Sequence, residues 1–387
     1  MTFIPYGRQN IGEDDIEAVA DVLRSDYLTT GPKVAEFEGA LCGVTDAKYT
    51  VAVSNGTAAL HLASLALISE KDRVLTTPNS FAATSNSILY AGGEPVFCDI
   101  TSDGNINLDL CEGMIKKDRS IKAIYAVHFS GNPLDQKKLQ YIRDTYNIKI
   151  LEDCAHSIGA EDSGIKAGSC ANSDCSILSF HPVKHLTTGE GGAVTTNSKE
   201  IYDKVLRLRT HGIVRESFVN DEMAYDAKGN KNHWYYEMQE LGYNYRITDI
   251  QCALGISQLK KLGAFVQRRK ELAQRYDSAF EDTAVKPLYT FDGRSSYHLY
   301  VARTDFRKCP LTRAEFFIKM RECGIGLQLH YIPINKQPYY KALGYGEEYT
   351  PVMDAYYDEC FSLPMYPALT DEQQNMVIAC VKELING

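Results

Sequence analysis

Lys184 lies in Ser176-Ile-Leu-Ser-Phe-His-Pro-Val-Lys-His-Leu-Thr-Thr-Gly-Glu-Gly-Gly-Ala-Val-Thr195, between a short apolar run and a glycine-dense return into another. Most lysines are solvated at the surface, yet a turn this apolar has little use for a solubilising cation. An amine desolvated there, beside other cationic groups, loses affinity for its proton, as Schiff-base chemistry with a carbonyl compound requires. A second segment, Ile150-Leu-Glu-Asp-Cys-Ala-His-Ser-Ile-Gly159, brings an apolar strand out onto two carboxylates and a histidine. A carboxylate in that place can pair with a protonated heterocyclic nitrogen and keep the ring cationic. Asp153 is placed for it; alternatively Glu152 or Asp153 caps the next turn. His156 has no neighbours at metal-ligand spacing, so it reads as a ring contact or a structural hydrogen-bonder.

Two further segments suit an anion. In Val51-Ala-Val-Ser-Asn-Gly-Thr-Ala-Ala-Leu60 an apolar run meets Gly56 and then a helical pattern through Leu60, Ala63 and Leu67. Unpaired N–H groups of Gly56, Thr57 and Ala58 at such a helix start can hold a phosphate; the plainer reading is a turn capped by Thr57. In Leu241-Gly-Tyr-Asn-Tyr-Arg-Ile-Thr-Asp249, Asn244 and Arg246 suit an anion, while Thr248 and Asp249 suit a helix cap.

These residues need a scaffold that gathers them. Apolar, β-branched runs at Tyr49 to Val53, Arg73 to Thr77, Glu94 to Asp99, Ala123 to His128 and Lys149 to Glu152 alternate with helical patterns. The alternation predicts crossover units and a mainly parallel sheet with helices on both faces, with ligands at the carboxyl ends of its strands. From Ile247 through Val266 apolar residues recur at three- and four-residue steps, predicting one long amphipathic helix that bridges to a second unit. Beyond it, Tyr297 to Ala302 reads as a strand, Thr312 to Cys323 as a helix ending at Gly324, and Gln328 to Tyr331 as a strand. The expected division is a large domain over 1–250 and a small α+β domain over 251–387. Arg215 to Glu240, polar and aromatic with a turn at Asp226 to Asn230 and the only tryptophan, Trp234, reads as a long functional loop.

The length of 387 residues exceeds what one core usually fills. A net charge of −9 without a long basic run argues against nucleic acid or an anionic membrane surface as partner. Eleven cysteines with no C-x-x-C pair suit neither a zinc site nor a disulfide framework, and no apolar run reaches 18 residues. A soluble cytoplasmic protein with reduced thiols, binding no metal, is the expectation.

Taken in order, the motifs resemble the DegT/DnrJ/EryC1/StrS family of sugar aminotransferases. Gly31-Pro32 with Phe37-Glu38, Ser54 to Leu60, Thr77-Pro-Asn-Ser-Phe-Ala-Ala-Thr84, Pro95 to Asp99, Glu152-Asp153, Lys184 with Gly189-Glu-Gly-Gly192, His211-Gly212 and Gly242-Tyr-Asn-Tyr-Arg246 carry the resemblance across nearly the whole chain. It implies fold type I of the pyridoxal 5'-phosphate (PLP) enzymes, an α/β architecture with a seven-stranded, mainly parallel sheet sandwiched by helices. It further implies that Lys184 bears the cofactor as a Schiff base and then moves the substrate proton, and that Asp153 pairs with the pyridine nitrogen. Phe81 and His156 would flank the ring, and Gly56, Thr57, Ala58 and Ser179 would bind the phosphate. Asn244 would reach the phosphate of a neighbouring subunit, so a homodimer with shared sites is expected. Within the family, Phe180 to Gly192, Trp234 to Gln239 and Gln328 to Pro333 most resemble the pseudaminic acid branch. There glutamate donates to C4 of a UDP-linked 4-keto sugar, held here by Tyr6, Tyr27, Leu28, Thr29, Asn55, His330 and Tyr331. Perosamine, bacillosamine and legionaminic types share most of these motifs. A dehydratase of the same fold has histidine at the lysine position, and a regulator on the fold usually adds a DNA-binding domain; Lys184 and the direct start of the chain disfavour both.

Overall fold

A computed structural model of the chain describes residues 3–386. Seven strands form the central sheet: β1 (Tyr49–Val53), β2 (Arg73–Thr76), β3 (Glu94–Phe97), β4 (Ile121–Val127), β5 (Lys149–Asp153), β6 (Cys175–Ser179) and β7 (Gly192–Thr196). Their spatial order is β1-β7-β6-β5-β4-β2-β3. Only β7 runs against its neighbours, pairing antiparallel with both β1 and β6, while the other pairs are parallel. The mainly parallel sheet expected from the strand–helix alternation is therefore present.

Its side chains alternate between two covered faces, as the two-residue period of a strand requires. Val51, Val53, Tyr125, Leu151 and Ile177 pack under helices Gly56–Leu67 and Lys199–Leu208. Ala52, Leu178 and Ala193 face Phe37, Leu41 and Cys252 on the other side, and Leu75, Ile124 and Ile150 pack against helices Leu108–Lys117 and Gln136–Tyr146. With both faces buried, the strands read as near-continuous apolar runs.

The long helix expected from Ile247 is two helices, Asp249–Leu259 and Leu262–Phe280. Thr248 caps the first, with Gln251 completing a capping box. At the break, Lys261 donates its amine to Asp14 and Asp15 of the N-terminal helix Glu13–Leu23. Asp249 instead accepts the N–H groups of Gly31 and Lys33, at 2.8 and 2.9 Å. A Cβ on Gly31 would lie 2.6 Å from that carboxylate, so the glycine lets helix Pro32–Thr45 start against it.

A second core contains Leu272, Tyr276, Phe280, Phe316, Phe361 and Val377, and it also takes in Ile4. Ile4 bridges to Ile325, so the N-terminal segment pairs with the C-terminal part of the chain. The expected strand at Tyr297 to Ala302 is Tyr300–Arg303, central in a three-stranded sheet with Lys286–Pro287 and Cys360–Leu363. Helix Arg313–Glu322 starts on a Thr312–Glu315 capping box, and Gly324 follows it at φ 77°. Gln328 to Tyr331 is not a strand: only Gln328 forms a bridge, to Ser362, and the chain then turns along the cavity described below. The Arg215 to Glu240 excursion is closed at its base by Ile213–Val214 pairing with Glu237–Met238, and Trp234 stands exposed on it. No helix among the described residues is long and apolar enough to cross a membrane.

Candidate active site

A cavity of about 1020 Å³ opens at the carboxyl ends of the parallel strands, where the sheet topology places a ligand. Val127 of β4, Asp153 of β5 and Ser179 of β6 reach its wall, together with Gly56, Phe81, His156 and Lys184. Most of the residues singled out in the sequence thus meet in one volume.

Lys184 is held by a closed loop. Phe180 donates its N–H to Gly191 at 2.8 Å and accepts from Thr188 at 3.0 Å, so residues 180–191 start and end at one point. Gly189 takes φ 79°, a left-handed turn that a side chain would strain. Burial pushes the Lys184 amine down to about 8; Asp153 opposes that shift and Arg269 adds to it. The imidazoles of His156, His185, His298 and His330 are also held below their ordinary range by burial and by Lys184. Lys184 therefore sits among neutral rings and one carboxylate.

The two carboxylates of β5 face opposite ways. Glu152 is turned from the cavity and fully engaged: it accepts from His128 Nε2 at 2.8 Å, Gln136 Nε2 at 2.7 Å and Ser173 Oγ at 2.6 Å. Asp153 faces the cavity, its Oδ2 accepting from Thr84 Oγ1 at 2.7 Å and its Oδ1 from the Ala155 N–H at 3.1 Å. Burial raises its proton affinity, against those two hydrogen bonds and the charges of Lys184 and His128. Among the described residues no cation comes within 4.0 Å of it. A buried carboxylate with spare acceptor capacity and no ion-pair partner fits a protonated pyridine nitrogen.

The anion cradle is also formed. Asn55 caps helix Gly56–Leu67, its side-chain oxygen accepting the Ala58 N–H at 2.8 Å. The cap engages the Ala58 N–H and the Asn55 oxygen, and both residues still line the cavity. Gly56 and Thr57 keep their first-turn N–H groups. A Cβ on Gly56 would stand 3.0 Å from Ser179 Cβ, so glycine lets the helix start close against β6 and the Ser179 hydroxyl. These donors and the Asp153 carboxylate fit the two ends of PLP.

Phe81, exposed to the cavity, precedes helix Ala82–Tyr90. His156 accepts the Ser130 N–H on Nδ1 at 3.3 Å, which leaves Nε2 to carry the proton and meet the Tyr331 hydroxyl at 3.2 Å. Tyr6 lies 5.6 Å from the His330 ring, and both line the cavity with Tyr331. Tyr27, Leu28 and Thr29 lie outside it; Leu28 accepts the Asp249 N–H, and Tyr27 and Leu28 are exposed. Asn244 also lies outside. Along this extended segment Tyr245 points into the cavity, so Asn244 points away and bridges to Thr210.

Sequence reasoning missed Thr84, His298 and Arg269. Thr84 had a signal: it follows Phe81 by three residues, on the first turn of the same helix. His298 and Arg269 had none, since only the fold brings them to Lys184.

The sequence profile of the DegT/DnrJ/EryC1/StrS aminotransferase family matches residues 9–382. A UDP-4-amino-4,6-dideoxy-N-acetyl-beta-L-altrosamine transaminase of Campylobacter jejuni is 40% identical over 366 residues, covering 94% of this chain and 92% of that protein. Among solved structures, Helicobacter pylori PseC, an aminotransferase of pseudaminic acid biosynthesis, superposes with a TM-score of 0.90 at 30% identity, with 100% of both chains covered. The PLP form of a Streptococcus pneumoniae putative sugar aminotransferase, Spr1654, superposes with a TM-score of 0.86 at 29% identity, over 99% of this chain and 98% of that one.

Proposed function

We propose, for a chain that belongs to the DegT/DnrJ/EryC1/StrS aminotransferase family and is a PLP-dependent sugar aminotransferase, a specific reaction. It moves an amino group from glutamate to C4 of a nucleotide-linked 4-keto-6-deoxy sugar. The substrate is UDP-2-acetamido-2,6-dideoxy-β-L-arabino-hexos-4-ulose of pseudaminic acid biosynthesis. The observation that carries the reading is one cavity holding the Lys184 amine, the unpaired Asp153 carboxylate and the helix start at Gly56. The names of the Campylobacter and Helicobacter relatives supply the sugar.

When bound, PLP supplies an electron sink for the carbon that bears the transferred nitrogen. Lys184 would hold the cofactor, and its free amine, shifted to about 8, would take and return a proton near neutrality. Asp153 stabilises the protonated ring nitrogen. Gly56, Thr57 and Ser179 bind the phosphate, and Phe81 and His156 restrict the ring from its two faces. Tyr6, His330 and Tyr331 face the sugar. Asn244, outside this chain's own cavity, serves the site of a second copy in a homodimer.

The test supplies the purified protein with PLP, glutamate and a panel of UDP-, GDP- and dTDP-linked 4-keto sugars, and identifies the product by mass and NMR. The expected result is a C4 amino sugar from the UDP substrate, and a Lys184→Ala variant with no turnover. Normal turnover by that variant would refute the mechanism, and preference for another keto-sugar would replace the substrate.

A further inference from the structure

Arg269 is completely buried on helix Leu262–Phe280. Its Nη1 donates to three backbone carbonyls: Tyr297 at 3.3 Å, His298 at 3.0 Å and Met365 at 2.9 Å. Its Nε has no partner, and among the described residues no carboxylate lies within 4.0 Å. Taking a guanidinium out of water without a counter-charge is costly, and stability gives no reason to retain it. Such uncompensated charges gather where a site needs a field.

What Arg269 holds is the wall behind Lys184. His185, the next residue along, donates Nε2–H to the Ser296 carbonyl at 3.0 Å. Three successive carbonyls, of Ser296, Tyr297 and His298, are thus tied down from the lysine loop and from the helix. Tyr297 takes φ 49°, a left-handed conformation rare for a bulky residue. Successive carbonyls of an extended chain point apart; this turn lets those of Tyr297 and His298 converge on one guanidinium nitrogen. His298 in turn lines the cavity, its ring 4.3 Å from that of His156.

We propose that Arg269 is the positioning residue of this site: its carbonyl bonds fix His298 in the cavity wall, and its guanidinium, buried without a counter-charge, sets the field behind Lys184. The inference rests on the reading of Lys184 as the PLP-bearing lysine. Charged and titratable groups face that amine from every side: Asp153 on β5, His156 after it, His181 and His185 on its own loop, His298, His330, and Arg269 behind. Asp153 favours its proton, whereas Arg269, after burial, works against it.

Two variants test the proposal, Arg269→Met and Arg269→Lys, in the full-length protein. One readout is the pH titration of the visible band of the PLP-loaded enzyme. The other is the pH dependence with which an amine-reactive label modifies Lys184 in PLP-free protein, followed by peptide mass mapping. Removing a nearby cation raises proton affinity, so Arg269→Met should move both midpoints up by roughly one pH unit, as one charge acting through partly screened protein would. Arg269→Lys retains the charge, so its midpoints should stay near wild type while loss of the Nη1 contacts to the carbonyls raises the KM for sugar. Unchanged midpoints in folded Arg269→Met overturn the electrostatic role. If that variant does not fold, midpoints raised in Arg269→Lys by the amount expected for Met overturn it as well. The labelling is independent of whether Lys184 carries PLP: absence of a visible band would count against the functional reading, and an unmoved labelling midpoint against this one.

Discussion

Thr84→Val isolates the control of Asp153 by a single proton. Thr84 is 1% exposed, and its hydroxyl lies 2.7 Å from both Asp153 Oδ2 and Ser80 Oγ. An ionised carboxylate only accepts, so the threonine proton goes to Asp153, and the Thr84 hydroxyl is left to accept the single Ser80 proton, for which the Phe81 carbonyl at 3.0 Å competes. Valine keeps the shape and removes the donor. A hydrogen bond to a charged acceptor contributes about 1.5–3 kcal/mol, so its loss raises the Asp153 proton affinity by roughly one to two pH units. The sign follows because the bond favours the ionised form, which burial already disfavours. If the protonated ring depends on that charge, kcat/KM for glutamate should fall about tenfold or more, because 1.4 kcal/mol is one decade. The assay follows the glutamate-driven bleaching of the PLP band from acid to alkaline pH in wild type, Thr84→Val and Thr84→Ser. Thr84→Ser should recover most of the rate, since it restores the hydroxyl. A folded Thr84→Val with wild-type rate and pH profile would refute the coupling, and a Thr84→Ser variant as slow as Thr84→Val would assign the effect to shape.

Gly192→Ala should weaken PLP binding about tenfold, because overpacking commonly costs ~1–3 kcal/mol and here falls on the phosphate cradle. The new Cβ would stand 2.5 Å from the Asn55 carbonyl oxygen and 2.7 Å from Gly56 N. A PLP titration followed by fluorescence reads the effect, and an unchanged Kd in folded protein would show that the cradle does not depend on that contact. His128→Gln addresses the buried pair behind the site. Burial opposes a charge on His128, but the neighbouring Cys154 and the Glu152 carboxylate bonded to Nε2 raise its pKa from 6.5 to about 10. A raised histidine stabilises fully below its unfolded value and loses that contribution as pH rises through the folded one, here between 6.5 and about 10. Denaturant midpoints of the wild type should therefore fall across that window and those of His128→Gln should stay flatter; parallel curves would exclude the pair as the cause.

Much of the site was legible because backbone and chemistry coincide in the sequence. Strand runs at Tyr49 to Val53 and Lys149 to Glu152 announce both a sheet and the edge at which it presents ligands, and the glycines around Lys184 announce a loop too tight to be a surface tether. The unread parts depend on what lies across a gap. The apolar period runs unbroken through Leu259 and Leu262, both buried, so nothing local reveals the helix break at Lys261, where the side chain meets Asp14 and Asp15, almost 250 residues away in sequence. Asn55 came to the sugar through the family resemblance alone; standing one residue before a helix, it gives its oxygen to the cap. The carboxylate pair makes the limit clearest. Strand alternation dictates that Glu152 and Asp153 face opposite sides, but no pattern in the chain says which side is the cavity. His128, Gln136 and Ser173 settle it by consuming every strong interaction that Glu152 offers, which leaves Asp153 as the carboxylate whose charge still seeks a partner.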